Sequence, residues 1–480
     1  MKLRAVLHIV AILILFEGLA LLAPLGFSLY YGDGDAIAIV ISSAFCLLVG
    51  GCIFLATRNQ EELKLREGFA IVVLGWSTLT LFGALPFLIS GAIPSISDAF
   101  FETMSGFTTT GSTILSNIEA MPHGLLFWRS MTHWLGGMGI VVLSLAILPL
   151  LGVGGMQLFK AEVPGPVKDR LSPRIADTAK ILWGVYLLLT LVEVVLLLFG
   201  GMSLFDSLCH TFGSMATGGF STKNASVAHY NSLYIEMVIL VFMFLAGTNF
   251  SLHFRFLTGK HDVYRLDREF RFYFLFTLIA ILIVSGIVFL SKPVGPGGAL
   301  RSASFQVVSV MTTTGFCTDD YELWLPSGQL LMILLMFVGG CAGSTGGSVK
   351  VIRIMVVFKH SLTEIKKLLH PNAYIPVRLG GRVLAPDVVT NILAFLIIYM
   401  LVFVAGSVGM ALLGVDVVTA FSSVAATLGN IGPGLNLVGP IDHYGHLPAA
   451  GKWLLSFCML AGRLELYTIF ILFIPDFWKK

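Results

Sequence analysis

At four places the chain sets a threonine two residues before a glycine at the end of an apolar stretch. They are Thr109-Thr110-Gly111, Thr217-Gly218-Gly219, Thr313-Thr314-Gly315 and Thr427-Leu428-Gly429. These residues offer oxygens rather than charge. A cation that leaves water must exchange its hydration shell for other oxygens, and rings of backbone carbonyls from several loops can supply them. Turning successive carbonyls toward one axis takes positive φ, which a residue with a Cβ resists and glycine does not. Threonine adds a hydroxyl beside its carbonyl. Four copies would give four carbonyls per ring, a site able to replace the water shell of a potassium ion with almost no ionised side chains.

Counting back thirteen residues from Gly111, Gly219, Gly315 and Gly429 reaches Asp98, Asp206, Ser302 and Asp416. All four are favoured helix N-caps. The stretch between cap and glycine fits a helix of about twelve residues, roughly 18 Å or about half the hydrocarbon thickness. The expectation is a short pore helix that enters from outside and stops near mid-membrane. Its C-terminal end aims partial negative charge at the ion, while Asp98, Asp206 and Asp416 complement the positive N-terminal ends. The glycine-to-glycine intervals are 108, 96 and 114, an internal repeat that a pseudo-fourfold arrangement explains. A single copy would read as a terminator or a close-packing point, since Thr and Gly are common at transmembrane interfaces. Four copies at one spacing favour the ion site.

The elements that must position these segments are membrane helices. Of 480 residues, 56% are hydrophobic and 12% charged, and the mean hydropathy is +0.89; a soluble domain carries roughly 25% charged residues. Runs such as Phe272 to Leu290 are apolar on every face, which excludes the alternating strands of a transmembrane barrel. Ten spans are expected, at about 4–30, 36–57, 68–91, 124–151, 177–200, 229–257, 270–291, 327–358, 386–414 and 448–475. The first resembles a signal peptide but runs to about Tyr30 without a small-residue cleavage site, so it reads as a retained helix. Of the thirty Lys and Arg, 24 fall on one face, in the two termini and in 58–67, 159–180, 255–271 and 350–382. The positive-inside rule makes that face, and both termini, cytoplasmic. The fold class is therefore an all-α polytopic membrane protein. It divides into an extra N-terminal helix pair (1–67) and four helix, pore loop, helix repeats at 68–158, 159–258, 259–368 and 369–480. A net charge of +3 gives no reason to expect nucleic acid, and the six cysteines show neither disulfide nor zinc spacing.

Two further features lie in the expected path. Gly339, Gly340, Gly343, Gly346 and Gly347, with Ser344 and Thr345 among them, interrupt the eighth span. Each interior glycine costs a helix about 1 kcal/mol relative to Ala, and unwound backbone at membrane depth survives only where protein or a water-filled cavity satisfies it. A loop across the pore beneath the filter is expected. Arg463 lies deep in the last span, where arginine costs at least about 2.5–3.5 kcal/mol unless it meets water or a partner. It reads as a structural anchor or as a cationic barrier, and the two roles are compatible.

Glu102, His210 and Gln306 lie in the short helices and are expected to satisfy neighbouring backbone; His123 and His133 are ten apart and cannot form a helical metal pair. Glu193, Glu236 and Glu465 are the coupling candidates if transport is driven by protons or sodium, although alternating access goes with inverted halves and not four same-way repeats. No phosphate-binding glycine loop occurs, so a nucleotide would act through a partner. No acid, base and metal constellation of an enzyme is visible, and no cofactor is expected on this chain.

Phe100-Phe101-Glu102 leading to Phe107-Thr108-Thr109-Thr110-Gly111 is one of three telling stretches. The others are His133-Trp134-Leu135-Gly136-Gly137-Met138-Gly139 and the run Gly339 to Gly347. Together they resemble the Trk/Ktr/HKT superfamily of potassium transporters, over the whole chain. The helix pair before residue 68 is similar to the extra N-terminal unit of the bacterial Trk membrane subunit and argues against the Ktr branch. The resemblance implies potassium uptake across the bacterial inner membrane, one pore per subunit, homodimers, and a cytoplasmic ring of NAD- or ATP-binding regulatory subunits. It maps the filter onto the four Thr-x-Gly-x segments and the gate onto the Gly339–Gly347 loop. No consistent Tyr-Gly follows the first glycine, so sodium should be rejected imperfectly, and Asn430, where two other repeats have Phe, is expected to break the fourfold equivalence.

Overall fold

A computed structural model describes residues 2–57, 65–146, 171–380 and 382–479. The 58–67 and 159–180 loops fall partly outside these residues, and the repeat boundary at 158 wholly so. The N-terminal pair is the apolar segment Leu3–Tyr31 packed on helix Ala36–Ala56. Four units follow. Their first helices are Leu65–Gly83 continued by Leu85–Ile89, Leu171–Phe199, Arg268–Ser291 and Pro386–Leu412. The short helices expected as pore helices are Ile96–Phe107, Leu204–Met215, Pro296–Met311 and Val417–Leu428. The second helices are His123–Ala146, Leu233–Ala246 with Phe250–Leu257, Pro326–Met336 with Val351–Leu369, and Ala449–Arg463 with Tyr467–Phe473.

The first helices show why an all-round apolar sequence still packs one way. In Arg268–Ser291 the buried residues are Tyr273, Thr277, Ala280, Val284 and Val288, one stripe at helical spacing. Leu278, Ile279, Leu282 and Ile283 point outward, where a soluble protein would place polar groups. That surface suits lipid. The polar residues collect at the centre instead, with Thr109, Thr217, Thr313 and Asn430 all fully buried.

Among the described residues six helices are long and apolar enough to cross a membrane, or eight if each bent pair is one span. The expected ten add His123–Ala146, which buries Arg129, Ser130, Thr132 and His133 against the centre, and the glycine-interrupted eighth. Two spans expected as continuous, 229–257 and 448–475, are bent by 102° and 110°. At the first break the Asn249 side chain accepts from Ser251 N–H and starts a new helix. At the second, Glu465 and Leu466 both take positive φ. A two-residue antiparallel ladder, Arg378–Leu379 with Arg382–Val383, and an isolated bridge between Val338 and Val349 are the β pairings among the described residues.

Candidate ion pathway

The first two of the short helices begin one turn earlier than the sequence suggests. Ser95 and Ser203 occupy the N-cap positions of the first two, which puts Asp98 and Asp206 in the first turn. There Asp206 N–H donates to Ser203 Oγ and Ser203 Oγ–H back to the Asp206 carboxylate, while Asp98 takes the Lys452 ammonium at 2.7 Å. Ser302 is interior, because Pro296 starts the third helix six residues before it, after Gly295 at the N-cap. Asp416 is an N-cap, accepting from Thr419 N–H at 3.0 Å.

Four strands leave these helices with one backbone signature, a left-handed residue, one residue more, then a left-handed glycine. The φ values are +51 and +83 for Thr109 and Gly111, +53 and +79 for Thr217 and Gly219, and +61 and +84 for Thr313 and Gly315. In the fourth repeat the pair is Asn430 and Gly432, at +54 and +102. The expected Thr427-Leu428-Gly429 lies three residues too early. Thr427 and Leu428 close the pore helix, Thr427 Oγ donates to the Ser423 carbonyl at 2.7 Å, and Gly429 keeps a right-handed φ of −78. Asn430 therefore stands in for threonine, as one of the few residues that tolerate left-handed backbone. Its backbone keeps the left-handed signature of the other three strands, although its side chain differs from theirs.

With that register the intervals between glycines are 108, 96 and 117, and helices one, two and four begin fifteen residues before their glycine. The central residues, Thr110, Gly218, Thr314 and Ile431, each donate N–H to a carbonyl five residues back at 2.7–2.8 Å. A Cβ on Gly111 would stand 2.2 Å from the Gly218 oxygen, on Gly219 2.0 Å from that of Thr314, on Gly315 2.0 Å from that of Ile431, and on Gly432 2.8 Å from that of Thr110. The cycle closes. The four carbonyls neighbour one another in a ring, and side-chain-free glycines let the strands approach that closely. All four glycines line one cavity of about 100 Å³, with Ser112, Lys223 and Tyr444 at its wall.

Each strand is tied back to its own pore helix. Glu102 accepts from Thr113 Oγ and Ile114 N–H, His210 Nε2 meets Ser221 Oγ at 2.9 Å, the Gln306 amide donates to the Asp319 carbonyl, and Ser422 Oγ donates to the Leu435 carbonyl. Glu102, His210 and Gln306 all lie nine residues before the left-handed glycine of their repeat and act on backbone or its neighbours, as expected. Arg129 is the residue the sequence reading passed over. It pairs with Glu102 at 2.6 Å, donates to the Ser221 carbonyl at 3.0 Å and covers the Phe220 ring at 3.5 Å, joining repeats one and two. A lone arginine in a span was the signal, the same one that singled out Arg463. His133 Nδ1 donates to the Gly106 carbonyl at 2.7 Å, and its ring occupies the space a Cβ on Gly218 would need, so glycine stands there where two other strands have threonine.

Beneath this ring the third repeat's second helix is open between Met336 and Val351. The segment is bound to the second repeat and to its own: Cys341 N–H to the Gly247 carbonyl at 2.8 Å, Thr345 Oγ to the carbonyls of Met215 and Ala246, and Gly347 N–H to Thr313 Oγ at 2.7 Å. Gly339, Gly340 and Gly347 each face a backbone oxygen within 2.6 Å of where a Cβ would lie, while a Cβ on Gly346 would stand 3.1 Å from the Thr312 oxygen. Gly343 turns at φ +74 and its carbonyl accepts from Phe250 N–H. Ser344 Oγ donates to the Cys341 carbonyl, and Lys350 reaches the Gly346 carbonyl. Arg463 is 2% exposed and donates to the Thr345 carbonyl at 2.7 Å, whereas its Nε and Nη2 have no partner among the described residues. The sequence argument's two features thus touch each other. Of the three coupling candidates, Glu236 is held bidentately by Arg301 and Glu465 pairs with Arg353, leaving Glu193 against Ser214. His123 binds Asp33.

The family profile described as "TrkH: Cation transport protein" matches residues 36–480. The "Trk system potassium uptake protein TrkH" of Salmonella typhimurium is 44% identical over 486 residues and that of Escherichia coli 43%, each alignment covering 100% of both chains. "Trk system potassium uptake protein TrkG" of Escherichia coli is 34% identical over 482 residues, 99% of each. The crystal structure of the potassium transporter TrkH from Vibrio parahaemolyticus superimposes with a TM-score of 0.93 at 39% identity, covering 100% of both chains. With the four-stranded ring, the interrupted helix and the extra N-terminal pair in place, the chain belongs to the TrkH family of polytopic cation transport proteins.

Proposed function

We propose that this chain takes up potassium across a bacterial inner membrane, with both termini in the cytoplasm, through a gated pore. The filter is the four strands ending at Gly111, Gly219, Gly315 and Gly432, and the gate is Gly339–Gly347 with Arg463. The observation that carries this reading is the closed cycle of carbonyls from Thr110, Gly218, Thr314 and Ile431. Each strand has one left-handed glycine where a stiffer filter would have two, so few carbonyl rings are ordered and sodium is rejected imperfectly. Potassium is cargo, and no cofactor is assigned to the chain.

Gly315→Ser is the direct test, since its Cβ would press on the Ile431 oxygen. A left-handed position costs a Cβ residue roughly 1–2 kcal/mol, so the potassium-to-sodium permeability ratio should fall about tenfold if the strand yields to relieve it. An unchanged ratio in folded protein removes the filter assignment. Reversal potentials in proteoliposomes under a potassium gradient, with and without an opposing pH gradient, separate a passive pore from a proton-coupled carrier.

The relatives' names speak of a Trk system, and a homodimer that docks a cytoplasmic ring of nucleotide-binding regulatory subunits fits that naming, with lipid around the remaining faces. The loops 159–180, 255–271 and 350–382 hold 17 of the thirty basic residues. Helix Val351–Leu369 ends in Lys366 and Lys367. Reversing both charges should weaken co-purification of the ring about tenfold, the scale of two exposed pairs at roughly 0.5–1 kcal/mol each. Undiminished binding would move the interface elsewhere.

A further inference from the structure

The second filter strand has a support that the other three lack. Glu193, in helix Leu171–Phe199, is fully buried and touches Ser214 Oγ in the last turn of the second pore helix. Its other oxygen, Oε2, has no partner. No cation pairs with it among the described residues, and the nearest polar groups on its own helix, Thr190 and Tyr186, are engaged elsewhere. Thr190 Oγ donates to the Tyr186 carbonyl at 2.8 Å, and the Tyr186 hydroxyl to the Trp134 carbonyl at 3.2 Å. The equivalents of Ser214, five residues before each filter glycine, are Gly106, Val310 and Thr427. Only Thr427 has a hydroxyl, and it bonds within its own helix.

The hydrogens can be counted. A serine hydroxyl has one, and Ser214 Oγ lies 3.0 Å from the His210 carbonyl and 3.3 Å from that of Thr211, groups that only accept. With that hydrogen on the His210 carbonyl, the contact with Glu193 must take its hydrogen from the carboxyl. The alternative, an ionised carboxylate with one hydroxyl partner and a second oxygen unpartnered among the described residues in a fully buried place, carries a large desolvation cost. The chain then runs from the Glu193 acid to Ser214 to the pore helix. It continues into the filter, because the Ser214 carbonyl accepts from Thr217 N–H at 3.0 Å and Thr217 is the left-handed residue of that strand.

We propose that Glu193, as a neutral carboxylic acid donating to Ser214, is the positioning residue that sets the second filter strand and thereby part of the pore's choice between potassium and sodium. This deepens the filter reading above and rests on it. A strand held by one extra bond tilts its carbonyls less freely, so a smaller ion gains less by drawing them inward.

The test uses the full chain in proteoliposomes and compares the potassium-to-sodium permeability ratio of wild type, Glu193→Gln, Glu193→Ala, Ser214→Ala, the double Ala variant, and Gly219→Ser. Glu193→Gln keeps a donor for Ser214 and should stay within about twofold of wild type, whereas Glu193→Ala and Ser214→Ala should each lower the ratio about fivefold, the factor one lost hydrogen bond carries. The double variant should be no worse than either single one, since both break the same link. An infrared difference spectrum of wild type minus Glu193→Gln at neutral pH should show a protonated carboxyl band. If that band is missing, the neutral acid is wrong. If Gly219→Ser shifts the ratio and neither Ala variant does, the positioning role is wrong while the filter stands. If Gly219→Ser leaves the ratio unchanged, the filter reading falls and this proposal with it. Should Glu193→Ala fail to fold, Ser214→Ala and the infrared difference decide alone.

Discussion

Gly432→Ser is expected to lower the potassium-to-sodium ratio about tenfold, while Thr427→Val, at the position that sequence spacing favours, is expected to hold it within about twofold. Gly432 carries a φ of +102, and a side chain there meets the Thr110 carbonyl and the Gly111 backbone, so the strain passes to the first strand as well as its own. Thr427 is helical, and its hydroxyl is spent on the Ser423 and Val424 carbonyls. Valine fills the same space, and the peptide bonds of the filter do not notice the change. Sodium and potassium reversal potentials measured on both variants decide the register of the fourth strand. A Thr427→Val protein that loses selectivity while Gly432→Ser keeps it would restore the earlier register and break the ring.

That register shows what spacing alone can and cannot reveal. Asn430 does the work of threonine in left-handed backbone, and Thr427-Leu428-Gly429 happens to match the pattern just upstream. The thirteen-residue interval looked constant because two shifts of three residues offset each other. In repeats one and two it ends in the first helical turn, at Asp98 and Asp206, and in repeat four at the true N-cap Asp416. Counted from Gly432 the same interval reaches Thr419, whose N–H meets Asp416 as that of Asp206 meets Ser203. The spans, the four short helices and the broken eighth helix were legible because hydrophobic length and clustered glycine are local signals. The bends near Asn249 and Glu465 were not, since the segments on either side of each are apolar and hydropathy does not register direction. Glu102 with Arg129 needed three dimensions, since 27 residues separate them.

The last expected result concerns what closes the path. Arg463→Ala should raise potassium flux in liposomes free of any partner by up to about a hundredfold, because a guanidinium about 6 Å from the ion at an effective dielectric near 20 repels it by roughly 2.8 kcal/mol. The proposed barrier needs a charge that is not spent on an ion pair, and the contacts of Arg463 fit that. Among the described residues its one bond goes to the Thr345 carbonyl, no carboxylate pairs with it, and two of its nitrogens have no partner. Glu465, two residues on, is taken by Arg353. Nor does the loop depend on Arg463 for its place. Thr345 keeps its bonds to Met215 and Ala246, Gly347 keeps Thr313, and Cys341 keeps Gly247. The arginine variant therefore removes the electrostatic barrier and leaves the steric one, while deletion of Ser344 to Gly346 removes both the obstruction and the carbonyl that positions the guanidinium. Flux should rise further in the deletion than in Arg463→Ala. A folded Arg463→Ala protein that conducts no faster than wild type, beside a deletion that does, would make the loop the whole barrier and the arginine its anchor.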